Sequence, residues 1–136
     1  MNPKAPGYRR PVADLLEVDL PADAPSLRVA RLVAWEAATR TGLNCDAADD
    51  LCLALDEVCF AAFARVHDGD RLVLRIDTTD GVSIEGHVTG RPARPLELGN
   101  LGRTLVAVAV DTFEIAGRAD GLHFTMTKRA PVLELR

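Results

Sequence analysis

The sequence predicts an α+β fold, a two-layer sandwich with helices on one face of a mixed, largely antiparallel sheet. Three observations predict it. Hydrophobic periodicity reads strand, helix, helix, strand, strand, helix, strand, strand along the chain. The strand segments alternate apolar and polar residues instead of running continuously apolar, so one sheet face is covered and the other is wet. The longest helical stretch, Asp46 to His67, carries one apolar stripe of Leu51, Leu55, Val58, Ala62 and Val66 at three- and four-residue steps.

Residues 1–11 are polar and contain prolines without periodicity, a flexible lead-in; residues 12–130 read as one domain and 131–136 as a tail. Asp14 to Leu20 alternates Leu16, Val18 and Leu20 with Glu17 and Asp19, a half-buried strand that Pro21 ends. Asp23 is an N-cap for a helix from Ala24 to Thr41, with Pro25 in the first turn and Gly42 as the stop. Leu27, Ala30, Ala34 and Ala38 form its packing stripe, while Arg28, Arg31 and Trp35 share another face. Asp46 can cap the central helix, with Asp49 and Asp50 near its start and Arg65 and His67 near its end, which complements the macrodipole.

Two strands follow, Arg71 to Asp77 and Val82 to Val88, joined by the hairpin signal Thr79-Asp80-Gly81. Gly86 and His87 suggest a bulge, and His87 alone reads as a surface strand residue. Gly90 to Gly99 is a proline-containing loop. Asn100 to Val110 is apolar and, by pattern, ambiguous between helix and strand. A strand from Phe113 and Ile115 and one carrying Leu122, Phe124 and Met126 flank a tight turn at Asp120-Gly121.

The 136 residues suffice for a core without cross-links. A net charge of −4, with basic residues scattered, argues against direct nucleic-acid binding. No apolar run approaches the roughly 20 residues of a membrane span, and no signal core follows the N-terminus, so a cytoplasmic chain without membrane contact is expected. Cys45, Cys52 and Cys59 are odd in number, and the last two lie about 10.5 Å apart along a helix, too far to bridge. They read as small buried thiols. No metal site is expected, since neither CxxC nor HxxxH is present.

Two features carry chemistry. Leu53, Glu57, Ala61 and Arg65 lie four apart on a second face of the central helix, which puts a carboxylate mid-helix among apolar neighbours. Either Glu57 points to solvent or a ligand uses it. The Arg28, Arg31 and Trp35 face has the composition of a partner-binding hot spot, or is a packed Trp beside two solvated arginines.

The stretch from Leu20 through Val66 (DLCLALDEVCFAAFARV preceded by LPADAPSLRVARLVAWEAATRTG) resembles the RsbW-type anti-sigma factors, small serine kinases with the histidine-kinase-like GHKL ATPase fold. The resemblance runs to about Lys128. It implies that Glu57 activates or orients the attacking group and that an Asn four residues on binds the Mg²⁺ of ATP; here Ala61 stands at that position. The family's Asp-x-Gly box, whose carboxylate accepts from adenine, falls on Val88-Thr89-Gly90, which has no carboxylate. Its Gly-x-Gly box falls on Gly99 to Thr104, which keeps glycines but not that spacing: Gly102 matches the second glycine, Asn100 replaces the first, and a phosphate cradle would draw on Gly102, Arg103 and Thr104 beside Gly99. An ordinary loop-to-helix turn accounts for the same glycines. Asp111-Thr112-Phe113 matches the family's close of the following helix, so Asn100 to Val110 is read as helix.

The resemblance implies a regulator that holds a sigma factor and releases it to a STAS-domain antagonist, as a homodimer. With each box altered where it touches nucleotide, no cofactor is expected. The rival is a working serine/threonine kinase using ATP and Mg²⁺, with Glu57 as base. A third reading, another ligand in the old cleft, has only the thiols behind it.

Overall fold

A computed structural model describes residues 15–90 and 98–129. The elements run β1 (Leu15–Pro21), α1 (Ala24–Arg40), α2 (Cys45–Phe63), β2 (Arg71–Asp77), β3 (Val82–Thr89), α3 (Asn100–Ala109), β4 (Thr112–Arg118) and β5 (Gly121–Lys128). The strands form one sheet in the order β1-β2-β3-β5-β4, and each neighbouring pair is antiparallel. The sheet is therefore antiparallel throughout among the described residues, where a mixed one was expected. The lead-in 1–11, the tail 131–136 and most of the Gly90 to Gly99 loop lie outside the described residues.

Alternation decides which strand face is dry. Leu72, Leu74 and Ile76 of β2, Ile84 and Val88 of β3, and Leu122, Phe124 and Met126 of β5 are buried beneath the helices. Each fully buried Leu or Ile contributes about 1.5–3 kcal/mol by leaving water. Glu17, Asp19, Arg71, Arg75 and Glu85 occupy the other face, where Arg71 pairs with Asp19 at 2.9 Å and Arg75 with Glu17 at 3.5 Å.

Helix α1 starts at the expected cap: the Asp23 carboxylate accepts from the Ser26 N–H at 3.0 Å. Ala30, Ala34, Ala37 and Ala38 are fully buried, small enough to let α1 lie close against α2 and the sheet. The central helix departs from expectation at both ends. Asn44, not Asp46, is the N-cap, its side-chain oxygen accepting from the Ala47 N–H at 2.8 Å. The helix stops at Phe63, so Arg65 and His67 lie in the following turn and no basic residue occupies the last helical turn. Gly69, at φ +89°, lets that turn reverse toward β2.

Asn100–Ala109 is a helix, as the resemblance implied, and Lys128 Nζ donates to the Ala109 carbonyl at 2.8 Å, satisfying one of its C-terminal acceptors. The bulge expected at Gly86 and His87 is absent. The β2–β3 register is continuous, with Leu74 opposite Gly86 and Val73 opposite His87. Gly86 has another use: it is the cross-strand partner of Phe124, and the ring lies where a Cβ on Gly86 would be. No helix among the described residues is long and apolar enough to cross a membrane.

Candidate functional site

Glu57 sits on the flank of α2 that meets α3, half-buried, as does Ala61 one turn on. Its Oε2 lies 3.4 Å from the point where a Cβ on Gly102 would stand. The fold thus brings Glu57, Ala61 and Gly102 to one corner, with Arg103 and Thr104 following on the exposed side of α3. Gly99 is the N-cap of α3 without a side-chain cap, and its carbonyl accepts the first helical bond, from the Arg103 N–H at 2.9 Å. The Thr104 hydroxyl donates back to the Asn100 carbonyl at 3.0 Å.

The glycines here are not forced by space. Gly99 has an ordinary φ of −60° and nothing within 4 Å of an added Cβ. At Gly102 the nearest atoms would be Glu57 Oε2 at 3.4 Å and Leu98 Cβ at 3.7 Å, both ordinary van der Waals contacts. Gly90 is elsewhere. At the end of β3 its N–H donates to the Asp120 carbonyl at 3.3 Å and its Cα faces the Asp70 carboxylate, so its contacts are to the hairpin turns and not to Glu57. Arg103 instead borders a groove of about 540 Å³ between α3 and β4, floored by Leu98, Val110, Phe113 and Ile115.

A Mg²⁺-bound nucleotide held in the family's manner would need an oxygen at position 61, because Mg²⁺ takes oxygen ligands in near-octahedral geometry. The Ala61 methyl has none. The residues present do not fit that group.

The second candidate surface is the solvent side of the α1–α2 pair. Arg31 reaches across to Asp56 of α2, Nη1 to Oδ2 3.2 Å, and the Cys52 thiol contacts the Arg31 carbonyl at 3.5 Å. Asp56 Oδ1 is buried and has no hydrogen-bond partner among the described residues. Burial raises the Asp56 pKa above the ordinary value, and the Arg31 charge only partly offsets this. Arg31 is thus an interhelical clamp as well as a surface cation. Beside it, Trp35 is 36% exposed, Leu32 65%, Leu53 40% and Phe60 77%. On a helix of 3.6 residues per turn, Arg28, Leu32 and Trp35 fall on the same side of α1, and Leu53 and Phe60, seven apart, on the same side of α2.

Cys52 and Cys59 are separate and unreactive by environment, whereas Cys45 is not the buried thiol expected of it. Burial, then the Asp56 charge, pushes Cys52 up to about 11, and the same causes push Cys59 to about 12. Cys45 is exposed.

The sequence reading missed one cluster. His87 and His123 are cross-strand partners on the open face of the sheet, their rings stacked with centroids 4.1 Å apart and planes at 14°. Asp120 in the β4–β5 turn accepts from both: His123 Nε2–H to Oδ1 at 2.9 Å and His87 Nε2–H to the Asp120 carbonyl at 3.1 Å. The bond from His123 holds the Asp120 carboxyl below its usual range. Only the Asp120-to-His123 step was visible as a local spacing; the β3–β5 pairing that adds His87 is not a hairpin and leaves no short-range signal.

No protein-family model matches the chain, and the curated proteins contain no match to it.

Proposed function

We propose that this chain is a transcription regulator of the anti-sigma-factor type, acting by protein–protein binding and releasing its sigma factor to a STAS-domain antagonist. The observation that supports it is the α1–α2 surface, where Leu32, Trp35, Leu53 and Phe60 stand exposed beside Arg28 and Arg31. Exposed apolar groups clustered with Trp and Arg are the composition of binding hot spots. The resemblance supplies the partner class, and with it a homodimer, which sedimentation would check.

The test is direct binding of the purified chain to a panel of sigma factors from its source organism, by calorimetry. Arg28→Ala/Trp35→Ala is the informative variant, because Arg31→Ala would also strip Asp56 of its partner. A hot-spot loss of about 2 kcal/mol corresponds to about 30-fold weaker binding. Absence of binding across the panel, or unchanged affinity in the variant, refutes the reading.

The alternative is an active ATP-dependent serine/threonine kinase phosphorylating the antagonist. The approach of Glu57 to Gly102 at the start of α3 favours it, since base and glycine box share one corner. Transfer of labelled phosphate from ATP to a STAS-domain protein, abolished in Glu57→Gln, would establish it. Ala61 argues for the first reading, because phosphoryl transfer depends on metal electrostatics and positioning.

A further inference from the structure

The three histidines of the chain come together, His67 and His87 along one groove and His123 stacked on His87 across the sheet. His87 and His123 point from β3 and β5 to the open face, since Gly86 and Val88, and Leu122 and Phe124, take the buried positions on either side of them. Their side chains are only 26% and 29% exposed, so the strand pairing and the stacked neighbour hold each ring. Asp120 reaches over both. Its Oδ1 is 2.9 Å from His123 Nε2 and its Oδ2 is 3.5 Å from His87 Nε2. One ligand atom from each of the three residues lies within 4.8 Å of the others. A groove of about 590 Å³ lined by His87 and Asp120 together with His67, Asp70 and Thr89 gives access from solvent to two of the three groups, and His123 stacks on His87 beside it.

We propose that His87, His123 and Asp120 form a binding site for a divalent transition-metal ion of the zinc class. The donor set selects it. Two imidazole nitrogens and one carboxylate suit Zn²⁺, Co²⁺, Ni²⁺ or Cu²⁺, whereas Mg²⁺ and Ca²⁺ require mostly oxygen. Three protein ligands leave a position for water or a partner's side chain.

The present contacts are made through protons. A carboxylate and a carbonyl only accept, so both Nε2 atoms carry hydrogen. Metal binding moves each proton to Nδ1 or to solvent and gives the ion the two Nε2 lone pairs. The nearly parallel rings must tilt toward each other, a rotation about a broad torsion on a face that no helix covers. Asp70 is not counted as a ligand: its Oδ2 already accepts from the His67 N–H at 2.8 Å. The site depends on nothing in the proposed regulatory function and stands or falls separately.

The experiment is titration of the chelator-treated, dialysed full chain with Co²⁺, read by its visible spectrum, and with Zn²⁺, read by calorimetry. The expected result is one ion per chain, unaffected by excess Mg²⁺. Losing even an outer-sphere partner of a metal typically costs about 10- to 100-fold. His87→Gln, His123→Gln and Asp120→Asn should therefore each weaken Zn²⁺ binding at least about tenfold, while circular dichroism stays unchanged. His67→Gln is the neighbouring control and should bind as the parent does. No binding at 100-fold excess Zn²⁺ would overturn the proposal. So would binding that survives in the His87→Gln/His123→Gln double variant, or a Co²⁺ spectrum with thiolate charge-transfer bands, which would place the ion on cysteine. The spectrum of the unaltered chain decides the ligand type even if a variant fails to fold.

Discussion

Gly86→Ala adds one methyl group at a point where β3 and β5 are packed tightly. A Cβ built on Gly86 would stand 2.6 Å from Phe124 Cε1 and nearer still to Cζ and Cε2. Carbon atoms rest about 3.5–4.0 Å apart, so the ring would have to withdraw by about 1 Å or more. Phe124 is 2% exposed and belongs to the buried core with Ile84 and Met126, so moving its ring disturbs packed neighbours. The chain has two responses. Retaining the ring under strain costs about 1–3 kcal/mol, and expelling it approaches the roughly 3–5 kcal/mol of a Phe→Ala change. The lower backbone entropy of Ala in a strand returns about 0.5–1 kcal/mol. The expected net loss is about 2 kcal/mol, which lowers the urea midpoint by about 1 M at an m-value near 2 kcal/mol per M. Gly86→Ala/Phe124→Leu shortens the opposing side chain, and it should be more stable than the sum of the single changes by about 1 kcal/mol. A midpoint for Gly86→Ala equal to or above that of the parent, or strict additivity in the double variant, refutes the reasoning. The contact has a functional side: it pins the register that sets His87 opposite His123, and a one-residue slip would turn His87 into the core.

Gly121→Ala should be about as harmful, because Gly121 has φ +133° and an added Cβ would strike the Val88 carbonyl, which cannot rotate away; urea unfolding measures it. Asp56→Asn should stabilise the chain near pH 7. The folded Asp56 pKa lies above its unfolded value of 3.8, so proton affinity is higher in the folded state, and the ionised group opposes folding once the pH exceeds the folded pKa. The gain should disappear as pH falls below 3.8, and a stability difference that grows on acidification would contradict it. Ellman's reagent at pH 8 should modify one thiol promptly, the exposed Cys45, and reach Cys52 and Cys59 only on unfolding; three fast thiols would show that the α1–α2 seam opens. Lys128→Met removes the donor to the Ala109 carbonyl and should cost about 1 kcal/mol, seen as early loss of α3 signal on heating.

The sequence by itself determined most of the elements, because they depend on neighbours a few residues away; Asn100–Ala109 was the exception, ambiguous by pattern and read as a helix only through the resemblance. Period-2 alternation located β2, β3 and β5, three- and four-residue steps located the α2 stripe, and Asp23 and Gly42 bounded α1 to within a residue. Local chemistry misled where two residues competed for one role. Asn44 took the cap that Asp46 could also have filled, and the Gly86-His87 step that resembled a bulge is a glycine making room for an aromatic ring. Glu57 was recognisable from its spacing, since a carboxylate amid a helix's apolar residues is an anomaly in one dimension. That it faces Gly102, with the Ala61 methyl one turn away, depends on how α2 and α3 pack.

Tertiary structure alone decided the rest. Arg31 and Asp56 are 25 residues apart and meet because alanines let α1 lie close to α2. His87 is 33 residues from Asp120, and β5, the strand with the buried inner face, takes the place beside β3 while the more exposed β4 takes the edge. Periodicity tells which side of a strand is dry; the order of strands follows from packing the whole sheet, and with it the neighbours that turn isolated side chains into a site.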